Sequence, residues 1–179
     1  MKLRAACVFA AAILLAGCFH TLDWREYQSA EGGYAVTFPG KVQHQERTIP
    51  TSAGAISMQM DSASAGNALF GVGYADYPAD SITTDHAQKL YAEVGRALAR
   101  NIGAATPALN PASLGKLAAV SLHAEGGNAD RRLVLDARLA FAGKRLYQVV
   151  VIHEAADHTV DKDALEIYFS SFRVDVKTG

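Results

Sequence analysis

Three consecutive segments carry apolar residues at every second position and are joined by glycine turns, and this pattern confines the chain to an antiparallel sheet. Leu117 to Glu125 puts Ala118, Val120, Leu122 and Ala124 on one face, and Gly126-Gly127-Asn128 turns the chain. Arg131 to Phe141 puts Leu133, Leu135, Ala137, Leu139 and Phe141 on one face, and Gly143-Lys144 is a tight turn. Arg145 to Ile152 returns with Leu146, Val150 and Ile152 on the matching face. Pairing apolar against apolar across both turns sets the expected register, with His123 opposite Arg132.

The earlier chain adds four strands and a helix. Tyr34, Val36 and Phe38 alternate with Ala35 and Thr37 until Pro39-Gly40. Val42 to Ile49 alternates again, and Ile56, Met58 and Met60 mark a third strand, after which the small polar run Asp61 to Asn67 reads as a loop or hairpin end. Ala68 to Tyr77 is the fourth strand, with Gly71 and Gly73 on one face where something must pack closely. Asp85 opens a helix whose stripe is Ala87, Leu90, Tyr91, Val94, Leu98 and Ile102, and Gly103 falls where a left-handed cap is expected. Thr106 to Ala112, with Pro107 and Pro111, reads as extended and irregular. Thr159 or Asp161 caps a last helix lined by Ala164, Leu165, Tyr168, Phe169 and Phe172. The order β-β-β-β-α-β-β-β-α has hairpins instead of βαβ units, so the expected class is α+β, an antiparallel sheet with helices packed on it.

The N-terminus states a location. Lys2 and Arg4 precede an apolar run from Ala5 to Leu15, and Leu15-Ala16-Gly17-Cys18 closes it. About 11 apolar residues suit a signal peptide, whereas a spanning helix needs about 20. A cysteine after two small residues resembles the site that bacteria acylate, cleave and acylate again, so residues 1–17 are expected to be removed and Cys18 to carry lipid. Phe19 stands where lipoproteins kept at the inner membrane commonly carry Asp, which by resemblance directs this chain to the outer membrane, facing the periplasm. Residues 18–29 read as a membrane-proximal spacer, in which Trp24 and Tyr27 are expected to cover the domain, and residues 30–176 as one domain. Formal charge is −1, and loss of Lys2 and Arg4 leaves 15 cations against 18 acids. That balance does not suit a nucleic-acid partner. The two cysteines are Cys7, which is discarded, and Cys18, so the mature domain holds no thiol for a disulfide, a thiolate metal site or a nucleophile.

Tyr27-Gln28-Ser29-Ala30-Glu31-Gly32-Gly33-Tyr34-Ala35-Val36-Thr37-Phe38-Pro39-Gly40 resembles the opening of PsbP-like domains, as do Gly73-Tyr74-Ala75-Asp76-Tyr77-Pro78, Gly143-Lys144-Arg145-Leu146-Tyr147-Gln148 and Phe169-Ser170-Ser171-Phe172 further on. The resemblance implies an α-β-α sandwich around an antiparallel sheet. It also implies a binding or assembly module, since members of that family are mostly not enzymes. It transfers no functional residue.

Two groups of side chains carry candidate chemistry. His153, Glu154, Asp157 and His158 follow the last strand; a metal-dependent enzyme built on His153, Asp157 and His158 is the alternative reading, although their spacing fits no helical ligand pair and a solvated loop is the simpler account. No dinucleotide or nucleophile motif is present, and no cofactor is expected. His44, His86 and His123 read as surface or satisfied histidines. The second group lies on the polar face of the meander: Ser121, His123, Arg132, Asp136, Arg138 and Tyr147, with Ser57 and Gln59 joining if their strand is adjacent. Arg132 and Arg138, held by Asp136 between them, are the expected contacts for an acidic partner. The sequence therefore leads to the expectation of a non-enzymatic, lipid-anchored envelope protein presenting a binding domain to an envelope protein or a small polar ligand.

Overall fold

A computed structural model describes residues 22–51, 54–78 and 82–174. The expected lipidation site, Cys18, and the expected signal segment lie outside the described residues. The elements are β1 (Arg25–Ser29), β2 (Tyr34–Phe38), β3 (Gln43–Thr51), β4 (Gly54–Ala65), β5 (Ala68–Asp76), α1 (Thr84–Asn101), β6 (Asn110–Leu114), β7 (Leu117–Gly127), β8 (Arg132–Ala142), β9 (Arg145–Glu154), α2 (Lys162–Ser171) and β10 (Arg173–Val174). The class is α+β, mainly antiparallel sheet with two helices.

Seven strands form one sheet in the order β3-β4-β5-β9-β8-β7-β6, and a three-stranded sheet runs β1-β2-β10. The middle of the large sheet is covered on both faces. On one, Ala63, Phe70, Val72, Tyr74, Tyr147, Val149 and Val151 meet Tyr34, Val36 and Phe38 of the small sheet and Tyr168, Phe169 and Phe172 of the last helical segment. On the other, Ile56, Met58, Leu122, Leu135, Leu139, Leu146 and Val150 meet Leu90, Tyr91, Leu98 and Ala99 of α1. Alternation along each strand therefore supplies both faces with apolar side chains.

Local chemistry fixes the ends of the elements. The Thr83 side chain caps α1 by accepting from the His86 N–H, and Gly103, at φ +70°, receives the chain as it leaves the helix. Asp161 caps α2, its carboxylate accepting from the Ala164 N–H at 2.8 Å. What packs closely on the glycine face of β5 is β9: a Cβ at Gly73 would meet the Gln148 side chain at 2.4 Å. Arg145 fastens the small sheet to the large one. It grips Asp76 with two nitrogens at 2.8 and 2.7 Å and donates to the carbonyls of Glu31 and Gly32, while the Tyr147 hydroxyl also reaches Gly32 O at 2.7 Å. This guanidinium holds the Asp76 carboxyl below its ordinary range.

Several expectations are corrected. The stretch read as a spacer contributes β1, pairing along β2 from Arg25↔Phe38 to Ser29↔Tyr34, while Trp24 and Tyr27 cover the domain as expected, Trp24 edge-on against Phe70 at 5.8 Å and Tyr27 edge-on against Phe38 at 5.7 Å. The segment read as irregular after α1 contains β6, with Pro111 on the sheet's outer edge, where its missing N–H costs no ladder bond. The loop read from Asp61 to Asn67 is mostly strand, because β4 runs on to Ala65 and turns through Gly66-Asn67 alone. The register of β7 on β8 is shifted by four residues, so His123 lies opposite Asp136 and Arg132 opposite Gly127. The cause is the turn. Asn128 closes a longer loop, its side-chain oxygen accepting from the N–H groups of Asp130 and Arg131.

Phe172 is 1% exposed and stacks on Tyr34 at 5.6 Å while meeting Tyr147 edge-on at 5.3 Å. Phe172→Ala is expected to cost about 3–5 kcal/mol, from lost transfer energy and the cavity left behind. That is a large part of a typical domain total of about 5–15 kcal/mol, so urea or thermal unfolding should show a clear drop in stability.

Candidate functional site

The most unusual group in the fold is a carboxylate that the pattern of β4 buries. Asp61 is 0% exposed. Its neighbour across the ladder is His44 on β3, and the small sheet lies over it. The Tyr34 hydroxyl donates to Oδ2 at 2.5 Å, and His44 Nδ1 approaches Oδ1 at 2.7 Å. A buried carboxylate without partners is too costly to keep ionised, so these contacts are what make the position tolerable.

The surroundings are phenols. Burial, and then the Asp61 carboxylate, raise the Tyr34 and Tyr168 hydroxyls well above the ordinary range, so both stay neutral. Burial first and Asp61 second also raise the Tyr27 hydroxyl. Among the described residues, the Tyr168 hydroxyl is buried with no hydrogen-bond partner. His44 leads outward from this box, its side chain 48% exposed. Its Nε2 meets Gln59 Oε1 at 3.1 Å, and with acceptors at both ring nitrogens the imidazolium form is favoured. The hydrogen bond to Asp61 is the main cause that raises its pKa. The network continues through Gln59 Nε2 to Ser57 Oγ at 3.3 Å and from Ser57 to Glu46 at 2.5 Å. Sequence reasoning missed this site because it reads Asp61 as the last position of the third strand and the start of a loop, and so as exposed. The signal was available: the polar positions Ser57, Gln59 and Asp61 continue through Ala63 and Ala65 at period two, up to the Gly66-Asn67 turn.

The meander's polar face is brought together only in part. Asp136 accepts from His123 Nδ1 at 2.8 Å rather than bridging the two arginines. That bond is the main cause raising the His123 pKa. Arg132 is 69% exposed and pairs with Glu125 at 3.1 Å. Arg138 lies under α2, donating to Ser113 O at 2.9 Å and to Glu166 at 3.3 Å, with its guanidinium 4.6 Å from the Phe169 ring centre. Ser57 and Gln59 are not adjacent to this face, since β5 and β9 separate β4 from β8. Tyr147 points into the buried layer.

The alternative metal cluster does not assemble. His153 is buried with Nδ1 against Glu154 O at 2.9 Å, and Asp157 is taken by the N–H and hydroxyl of Thr159 at 2.9 and 2.6 Å. Among the described residues no three His, Cys, Asp or Glu come together at ligating geometry. An open groove of about 640 Å³ lies elsewhere, between α1 and the sheet, walled by Ile82, Tyr91, Val120 and Phe141 with Lys144 at its rim.

No protein-family model matches the chain, and no curated protein does. Among solved structures, one from Bacteroides thetaiotaomicron superposes with a TM-score of 0.51 at 8% identity, over 83% of this chain and 47% of that one, so the chain spans about half its length. LpqN of Mycobacterium tuberculosis, described as involved in cell envelope biogenesis, gives a TM-score of 0.44 at 11% identity over 85% of this chain and 78% of its own. The first likeness is one of fold.

Three expected outcomes follow from this geometry. Tyr34→Phe removes a donor to a buried carboxylate and should cost about 1.5–3 kcal/mol in urea unfolding. Arg138→Ala should cost about 1–2 kcal/mol through its carbonyl bond and ring contact, while Arg132→Ala should stay within about 0.5 kcal/mol. The third outcome concerns pH. Because His44 and His123 are both raised in the fold, their stabilisation is complete below the ordinary histidine value of about 6.5 and is lost as pH rises through the folded values. Melting temperature should therefore fall as pH rises above about 6.5, and the double change His44→Gln/His123→Gln should flatten that fall.

Proposed function

We propose that this chain is a non-enzymatic, lipid-anchored envelope protein that presents its α+β domain as a binding or assembly module in the periplasm, from the inner face of the outer membrane. The observation that carries this reading is Leu15-Ala16-Gly17-Cys18 at the end of a short apolar run behind Lys2 and Arg4. Among the described residues no helix is long and apolar enough to cross a membrane. One acyl chain binds a bilayer marginally at about 0.8 kcal/mol per buried methylene, whereas several chains on one cysteine hold it durably.

The fold gives the anchor a geometric consequence. β1 starts at Arg25, seven residues beyond Cys18. At about 3.3–3.6 Å per residue, even a fully extended connection holds the start of the domain within about 25 Å of the lipid. The PsbP-like sandwich implied by sequence resemblance is the fold side of the same proposal, and it favours a partner in the envelope, either a protein or a small polar ligand. Of the meander residues, His123 and Arg132 keep their side chains accessible for an acidic partner, and such contacts weaken at high salt.

Mass spectrometry of the mature protein from native membranes tests the anchor. An acylated Cys18 as first residue is the expected result, with Cys18→Ser leaving unlipidated precursor or misprocessed protein. An unmodified amine at another residue overturns the proposal.

A further inference from the structure

Among the described residues, the seven-stranded sheet has two unpaired edges, β3 and β6. They are not equivalent. β6 has five residues, includes Pro111 with no N–H to offer, and has its Ser113 carbonyl taken by Arg138. β3 has nine residues, and Gln43 to Thr48 are exposed one after another, so neither α1 nor the small sheet covers either of its faces there. An edge of that length, with an outward N–H and C=O at every second residue, is a template for another strand.

The order of charges along β3 identifies the strand. We infer that β3 pairs antiparallel with β3 of a second copy of this chain about a two-fold axis at Gln45, which sets His44 opposite Glu46 and Gln43 opposite Arg47. A two-fold axis normal to the sheet keeps every residue on its own face. Residues of like parity therefore face each other, and one residue must meet itself at the axis. Centring on Glu46 sets two carboxylates together, and centring on Arg47 sets two guanidinium groups together. Centring on His44 puts imidazole against imidazole and Glu46 against Val42. Centring on Thr48 brings in Pro50, which has no N–H. Gln43 would meet itself without penalty, but as the first residue of β3 it would set Gln45 against Lys41 and leave most of the strand without a partner. Gln45 also meets itself without penalty, because an amide both donates and accepts. The same choice gives the His44–Glu46 pair twice by symmetry. His44 is half-exposed and already held at 2.7 Å by Asp61, which favours its cationic form toward the partner's carboxylate.

The pairing stands on the geometry of β3 and not on the lipid anchor. With an anchor, the axis has a second consequence. It leaves both small sheets on the same side of the joined sheet, so both Arg25 ends leave toward one membrane surface. A head-to-tail union of β3 with β6 would generate an open polymer instead, and Pro111 stands against it.

Disulfide trapping of the full chain in membranes tests the inference. Gln45→Cys should form a linked dimer under mild oxidation, because directly facing residues of an antiparallel pair have Cα atoms about 4.5–5.5 Å apart, within the range a disulfide spans. Thr48→Cys should stay monomeric, since its copy lies about 20 Å away. The parent chain should also give no dimer, which controls for Cys18 in either lipid state. As a second arm, co-expressed Gln43→Cys and Arg47→Cys chains should link to each other, while each alone should not. Glu46→Lys in the Gln45→Cys background should cut the linked fraction severalfold. The inference is overturned if Gln45→Cys stays unlinked and the Gln43→Cys/Arg47→Cys pair does too, if Thr48→Cys links as readily, if Glu46→Lys changes nothing, or if a ladder of higher polymers appears. Failure of acylation at Cys18 would leave all of these readings intact, so the two proposals fall separately.

Discussion

The middle of the large sheet is buried on both faces, and most other features answer to that constraint. β5 and β9 are buried at nearly every position, so a single covering layer cannot satisfy them. One face is met by α1 through a stripe containing Leu90, Tyr91, Leu98 and Ala99. The other needs a second sheet and a second helix, because α2 is too short to cover seven strands alone. The small sheet closes that gap, and it is built from the first and last segments of the described chain, with β10 pairing Arg173↔Ala35 beside β1 on β2. The domain's cohesion therefore depends on joining its two ends.

That closure places a carboxylate in the seam. Asp61 faces Tyr34, which belongs to β2, while its own strand belongs to the large sheet. The interaction is therefore between layers, and it adds direction to a seam otherwise made of stacked aromatic rings. Aromatic contacts tolerate sliding, whereas a charge-assisted hydrogen bond specifies one alignment. Arg145 does the same in the turn that leads into β2, where it ties Asp76 to the carbonyls of Glu31 and Gly32.

The sequence disclosed elements whose period and turn chemistry agreed. Gly143-Lys144 gave the β8–β9 hairpin, observed as Ala142↔Arg145, and Gly103 and Asp161 gave helix ends. The β7–β8 register was not legible, because a shift by an even number of residues leaves every side chain on its expected face. Apolar pairing was satisfied equally by His123 against Arg132 and by the observed His123 against Asp136. The polar-face candidates suffered for the same reason, since their grouping depended on register and on where α2 lies, and neither is a local property. Asp61 was hidden by composition. A run of Asp, Ser, Ala and Gly reads as a loop unless its continued alternation is weighed above its polarity. The edge strands β1 and β6 were hidden because an edge needs little apolar content to pair.

The lone tryptophan has an optical consequence. Trp24 sits one residue before β1 and rests half-buried against Phe70, so it belongs to the junction between the N-terminal segment and the folded layers. Its indole emission is thus a local gauge of how the chain enters the domain. Tyrosine absorbance, by contrast, arises from rings such as Tyr34, Tyr147 and Tyr168 deep in the seam and reports on the layers as a whole. Intrinsic ultraviolet spectroscopy therefore separates undocking of the first strand from melting of the sandwich without any added label.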